Sequence, residues 1–225
     1  MAFALTFDDG PGPSTQPLLE VLRRHGTHAA FFLIGENLAA PDGDSVAIQL
    51  LKEKHIVGNH TMSHDARLEL RSLREEIGAC DRLIASLYEK AEKTAPNPIP
   101  FRLPFGIRTF VAERIESGRR VPAAALDNRL QVLASMGRTH VHWTTILRDW
   151  EMKTSSDIDL LLKSAISHIE EMEKAGLDAV FALHDGSPRD ERGSIESRAL
   201  TVELVDRLLT HASEKGRTTF QAPVA

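Results

Sequence analysis

The chain has 225 residues, 42% of them hydrophobic and 26% charged, with a net charge of -5. That balance excludes a disordered chain and suits one large α/β domain or two small ones. The acidic balance, with no long basic run, excludes nucleic acid as a partner, and no apolar stretch reaches membrane-spanning length.

The first predicted element is a buried strand. Phe3, Ala4, Leu5 and Phe7 run apolar into Asp8-Asp9 and are stopped by Gly10-Pro11. No basic n-region or apolar h-region precedes it. That points to the cytoplasm, or to a secreted or periplasmic protein if the chain is a piece of a longer one. Ser14-Thr15 offers a cap for a helix that Gly26 ends. A second strand spans Ala29 to Ile34, a helix follows near Asp44 to Lys54, and a short third strand is Ile56-Val57-Gly58. Ser72-x-x-Glu75 reads as a capping box opening a helix to about Ala91. Cys80 lies in that helix on a stripe with Leu73, Ile77, Ile84 and Leu87. As the one cysteine it excludes an internal disulfide and reads as a buried, inert thiol.

The Pro-rich stretch 95–100 leads to a short strand, Phe101 to Leu103. Weaker helices are expected at Thr109 to Glu116 and Asp127 to Met136, with no assignment between them. Thr139 to Thr144 reads as a strand. Asp157 is expected to cap a helix to Ala175, Ala179 to Leu183 is another buried strand, and a last helix runs to about Ser213. Thr218 to Gln221 offers a final strand. Strands alternate with helices without a composition break, which predicts a single α/β domain over 1–225 with a parallel sheet. The expected form is a distorted (β/α) barrel, TIM-like, with as many as seven strands.

Polar residues fall repeatedly at the predicted strand ends: Asp8-Asp9, His60, Arg102, Asp149 and His184. Chemistry in such barrels sits there. Two adjacent acids repel unless their roles differ; a metal on one and an Arg on the other would separate them. The plain alternative is an Asx-type turn with solvated acids. His60 and His64, at i, i+4, share a face if helical and could meet one metal ion. His140 and His142 are a rival pair, read as structural. His25, His28, His55, His168 and His211 read as solvated. A buried Arg102 needs a carboxylate, which Asp8 offers. Asp149 could orient His184 and keep it protonated, and Trp150 could wall the site.

Five stretches occur in order: Thr6-Phe7-Asp8-Asp9-Gly10-Pro11, His60-Thr61-Met62-Ser63-His64, Arg102-Leu103-Pro104-Phe105-Gly106, Asp149-Trp150 and Leu183-His184-Asp185. Together, within 2–185, they resemble the five motifs of the polysaccharide deacetylases, the NodB-homology or carbohydrate esterase family 4 domain. The resemblance implies a metal triad of Asp9, His60 and His64, usually holding zinc, otherwise cobalt, manganese or nickel. It implies Asp8 as catalytic base held by Arg102, and His184 as catalytic acid tuned by Asp149. It puts Trp150 and Leu183 around the acetate, and the Phe105 N–H toward the oxyanion. Phe105 replaces the usual Tyr, Ile146 stands where many members carry an Asp, and 107–138 looks like a longer insert.

The implied reaction is metal-dependent hydrolysis of an N-acetyl group on N-acetylglucosamine-containing glycans. Two Trp and one Tyr offer little stacking surface, which favours a short substrate. A small-molecule amidohydrolase on the same scaffold is the alternative. A non-haem Fe(II) oxygenase shares the two-His, one-carboxylate ligand set, and a non-catalytic glycan-binding module would keep it without needing Asp8 or His184. Nothing in the sequence sets the oligomeric state.

Overall fold

The computed structural model describes residues 2–65, 70–107, 114–116, 119–121 and 127–222. Its centre is β1 (Ala2–Gly10), flanked in parallel by β2 (Ala30–Leu33) and β7 (Ala179–His184). β3 (Ile56–Asn59) continues the sheet beyond β2, and β6 (Thr145–Ile146) beyond β7, giving the order β3-β2-β1-β7-β6. β8 (Thr218–Thr219) pairs with the first residues of β1. Past β3, Phe101 forms a single parallel bridge to Asn59. The Val141 N–H donates to the Phe101 carbonyl (2.9 Å) and the Thr144 N–H to the Val180 carbonyl (2.8 Å). These bonds close the sheet into a small, distorted (β/α) barrel.

Alternation along the strands sorts the side chains. Phe3, Leu5, Phe7, Phe31, Leu33, Val57, Phe181 and Leu183 face outward into the main core, under α1 (Thr15–Arg24), α3 (Gly43–Lys52), α4 (Leu70–Lys90), α6 (Ser155–Ala175) and α7 (Ala199–Glu214). Each such buried side chain stabilises the fold by about 1.5–3 kcal/mol. The inward set is small: Ala30, Phe32 and Val141, with Thr6 and Asp8 of β1 in register beside them. A four-residue helix, α2 (Gly35–Leu38), follows β2, and a 3-10 turn spans Asp149–Glu151. Among the described residues no helix is long and apolar enough to cross a membrane.

Several local expectations are corrected. Ser14 does not cap α1; its hydroxyl accepts the Arg198 N–H (2.6 Å) at the start of α7. Ser72 lies inside α4, so it cannot open the helix. Phe101 to Leu103 is a bridge, not a strand, and 139–144 makes isolated ladder bonds without strand pairing. The helix expected at Thr109 to Glu116 is overturned where it is described. Arg114–Glu116 is β4, paired antiparallel with β5 (Arg119–Val121), and 108–113 lie outside the described residues. Within the 107–138 insert, 117–118 and 122–126 lie outside them too; its described part includes that strand pair and α5 (Arg129–Ser135). Thr154, not Asp157, is the cap of α6. Asp157 is the third helical residue, its carboxylate accepting the Thr154 N–H (2.8 Å). Cys80 is buried, and burial pushes its thiol well above the ordinary range.

Candidate active site

Alternation alone would send Asp8 and Asp9 to opposite faces. Asp8 points inward two residues after Thr6. Asp9 has φ 70 and the β1–β2 register slips between Asp8 and Gly10, so the chain twists at Asp9. The left-handed backbone costs an L-residue about 1–2 kcal/mol. It brings both carboxylates to the top of the barrel. Gly10 is required at this turn, since a Cβ there would overlap the Asp185 carboxylate. Asp185 is fully enclosed and accepts the Thr15 hydroxyl (2.5 Å); burial raises its carboxyl to about 7.

His60 and His64 do meet, with ring centroids 4.9 Å apart, but not on a helix. The 60–64 segment is a bend in which Thr61 (φ 70) and His64 (φ 55) are left-handed. Asn59 shapes it, its Oδ1 accepting the Thr61 N–H (2.7 Å) while its Nδ2 donates to Asp81 and to the Ile77 carbonyl of α4. His60 Nδ1 lies 2.8 Å from the Arg102 carbonyl. A carbonyl only accepts, so Nδ1 carries the proton and the Nε2 lone pair faces Asp9. The Nε2 atoms of His60 and His64 stand 3.3 and 3.2 Å from Asp9 Oδ1, an oxygen with no hydrogen-bond partner among the described residues.

These three donors can converge on one ion: a ligand atom from each lies within 4.8 Å of the others, and all three residues are buried. Protonation matches too. Burial depresses His64 to about 4, so it is neutral at pH 7. For Asp9, burial works upward but is overcome by His60, His64 and His184, leaving the carboxyl at about 2. A neutral imidazole, an anionic carboxylate and an orphaned buried oxygen are what a divalent cation needs.

Arg102 is fully buried beneath Asp8. Its Nη1 donates to Asp8 Oδ1 (2.7 Å) and to the Thr6 hydroxyl (2.7 Å), and its Nε to the Val141 carbonyl (3.1 Å). Phe32 (4.1 Å) and Trp143 (5.1 Å) offer it their rings. Burial lowers its pKa and Asp8 opposes that, so the guanidinium keeps its charge.

His184, in register with Asp8 on the neighbouring strand, donates from Nδ1 to Asp149 Oδ1 (2.8 Å). Asp149 Oδ2 accepts the His184 N–H (2.9 Å) and the Thr201 hydroxyl (2.7 Å) from α7. Burial would depress the imidazole, but the Asp149 bond and charge, with Asp9 and Asp8, outweigh it and raise His184 to about 9. Its folded pKa lies above the unfolded value. The stability it lends is therefore full below about pH 6.5 and lost as pH rises through about 9.

At the rim, the half-exposed Phe105 ring lies 4.6 Å from His64, and the Trp150 ring 4.7 Å from His184. Leu183 is not there. It pairs with Phe7 and faces the outer core, the opposite side of β7 from His184, and is wholly buried. His140 is buried but is not one of the converging ligands, its Nδ1 accepting the Leu103 N–H (3.0 Å). His55, expected in solvent, is buried and accepts the Ala29 N–H (3.1 Å) through Nδ1.

Thr6, Trp143, Thr201 and Asn37 were not singled out from the sequence. Thr6 was legible, two residues before Asp8 on the same face. Thr201 carries no local signal, lying in the last helix far from any motif. Asn37 of α2 is buried and donates to the Asp9 (2.9 Å) and Ser187 (3.0 Å) carbonyls.

A strand-end cluster with an ion-ready triad, a buried carboxylate–arginine pair and a cationic histidine defines a metal-dependent hydrolase on an α/β barrel. The sequence profile of the polysaccharide deacetylases matches residues 2–117. A chitooligosaccharide deacetylase of Bradyrhizobium sp. (strain ANU 289) is 30% identical over 220 residues, covering 94% of this chain and 84% of the relative. A peptidoglycan-N-acetylglucosamine deacetylase of Bacillus cereus is 26% identical over 214 residues, covering 95% and 82%. A solved polysaccharide deacetylase from Bacillus cereus superposes with a TM-score of 0.68 at 26% identity, covering 96% of this chain and 89% of that one. The chain belongs to the polysaccharide deacetylase family.

Proposed function

We propose that this chain hydrolyses the acetamido group of N-acetylglucosamine units in short glycans, releasing acetate and leaving a free amine. The observation that supports it best is the convergence of Asp9, His60 and His64 beside two pre-set proton handlers, Asp8 on Arg102 and His184 on Asp149. The relatives named for chitooligosaccharide and peptidoglycan deacetylation favour the glycan class. Asp9, His60 and His64 would hold the cation, for which zinc suits two imidazoles and a carboxylate. When bound, it supplies a Lewis acid that acidifies water and polarises the acetyl carbonyl.

The protein's own groups do the rest. Asp8, fixed by Arg102, takes the proton of the attacking water. The Phe105 N–H, on a left-handed residue at the rim, stabilises the oxyanion. His184 arrives protonated and gives its Nε2 proton to the leaving nitrogen. Phe105 and Trp150 give a narrow aromatic rim, suited to one or two sugar faces rather than a long chain. An Fe(II) oxygenase would share the triad but has no use for the Asp8 and His184 pairs.

Acetate release from N-acetylated chitooligosaccharides and peptidoglycan fragments tests the reading. Turnover is expected with zinc, to vanish after chelation and to return on adding zinc back; zinc-loaded protein that frees no acetate from any of them would refute it. The acid assignment has its own test. Wild-type activity should fall as pH rises toward about 9, where His184 loses its proton. In Asp149→Asn that limb should move to lower pH, because burial is then opposed only by the more weakly acting Asp9 and Asp8. An unmoved limb would remove His184 from the acid role.

A further inference from the structure

The carboxylate end of Asp9 faces the two imidazoles, yet nothing in those side chains compels its left-handed backbone. The constraint lies at its carbonyl. Asn37 Nδ2 donates to that carbonyl (2.9 Å) and, with its other hydrogen, to the Ser187 carbonyl (3.0 Å), tying the end of β1 to the loop after β7. Gly186 stands against the same oxygen, where an added Cβ would come within 2.5 Å. Asn37 belongs to α2, whose first backbone amides bind the histidine bend: the Gly35 N–H donates to the Thr61 carbonyl (3.0 Å) and the Glu36 N–H to the Met62 carbonyl (2.9 Å). One short helix therefore holds both the Asp9 backbone and the backbone between His60 and His64. Asn37 touches none of the three ligand side chains through a hydrogen bond.

We propose that Asn37, with Gly186 packed opposite it, is a positioning residue for the metal triad: it holds Asp9 in the twisted conformation that aims its carboxylate at His60 and His64. This rests on the metal reading above. Loss of the Asn37 bond lets Asp9 relax toward ordinary strand geometry, and a Cβ at Gly186 pushes the same carbonyl out of place; either turns the carboxylate away. Outer-shell partners of this kind are worth about 10–100-fold in metal affinity.

The test is zinc titration into chelator-stripped protein, with the fold checked by circular dichroism and melting. The variants are Asn37→Asp, which keeps the shape but loses both donors, Asn37→Ala, which adds no charge, and Gly186→Ala. Asp9→Ala marks the loss of a ligand. The expected result is a zinc Kd raised about 10–100-fold in the folded variants. A purely structural role would lower the melting temperature and leave the Kd alone. If wild type binds no zinc, the metal reading itself fails. If wild type binds through Asp9 and every folded variant binds within about threefold of it, well short of a tenfold step, the positioning role is overturned. Failure of all three variants to fold would assign the contacts to folding and overturn it equally.

Discussion

Asp8→Asn is expected to keep its zinc and lose turnover by about 10²–10⁴-fold, the usual worth of a positioned general base. The separation follows from geometry. Asp8 and Asp9 are neighbours in sequence, but only Asp9 lies among the imidazole Nε2 atoms, while Asp8 Oδ1 is taken by Arg102. Asn keeps an oxygen for Arg102 and removes the basicity. His60→Ala should behave differently, losing metal and turnover together. Zinc titration and acetate release on the same preparations distinguish the two. Turnover of Asp8→Asn within about tenfold of wild type, below the range of a positioned base, would end the base assignment.

The legible parts of this protein are those where local chemistry and tertiary placement agree. β1 could be read because its apolar run is buried on both faces, and its end because Gly10 and Pro11 interrupt it. The strand-end polar residues could be gathered because a parallel barrel leaves one open end. What failed were inferences needing backbone detail. The i, i+4 histidines suggested a helix, yet two left-handed residues and an Asn59 side chain build a bend instead. The family resemblance puts Leu183 at the acetate with His184, although strand alternation alone sends the two to opposite faces. The β4–β5 pair is announced only by the turn dipeptide Ser117-Gly118, which the helical reading of 109–116 passes over, and 139–144 resembles a strand but bonds its neighbours at single residues. Asn37 and Thr201 act on backbone and side-chain groups distant in sequence, which no periodicity encodes.

Arg102→Leu is the substitution expected to cost most stability, about 3–5 kcal/mol, because it leaves a buried carboxylate without its counter-charge. Against a typical total of about 5–15 kcal/mol, that is a large share. The guanidinium also serves Thr6 and the Val141 carbonyl and sits over Phe32, so the barrel interior loses its central tie. Arg102→Lys should recover part of the loss, since an ammonium restores charge but not the rigid fork that reaches these groups together. Urea denaturation in the presence of chelator measures this without a contribution from bound metal. A Leu variant as stable as wild type at neutral pH would mean that Asp8 finds another counter-charge, and that the role given to Arg102 in holding the base is wrong.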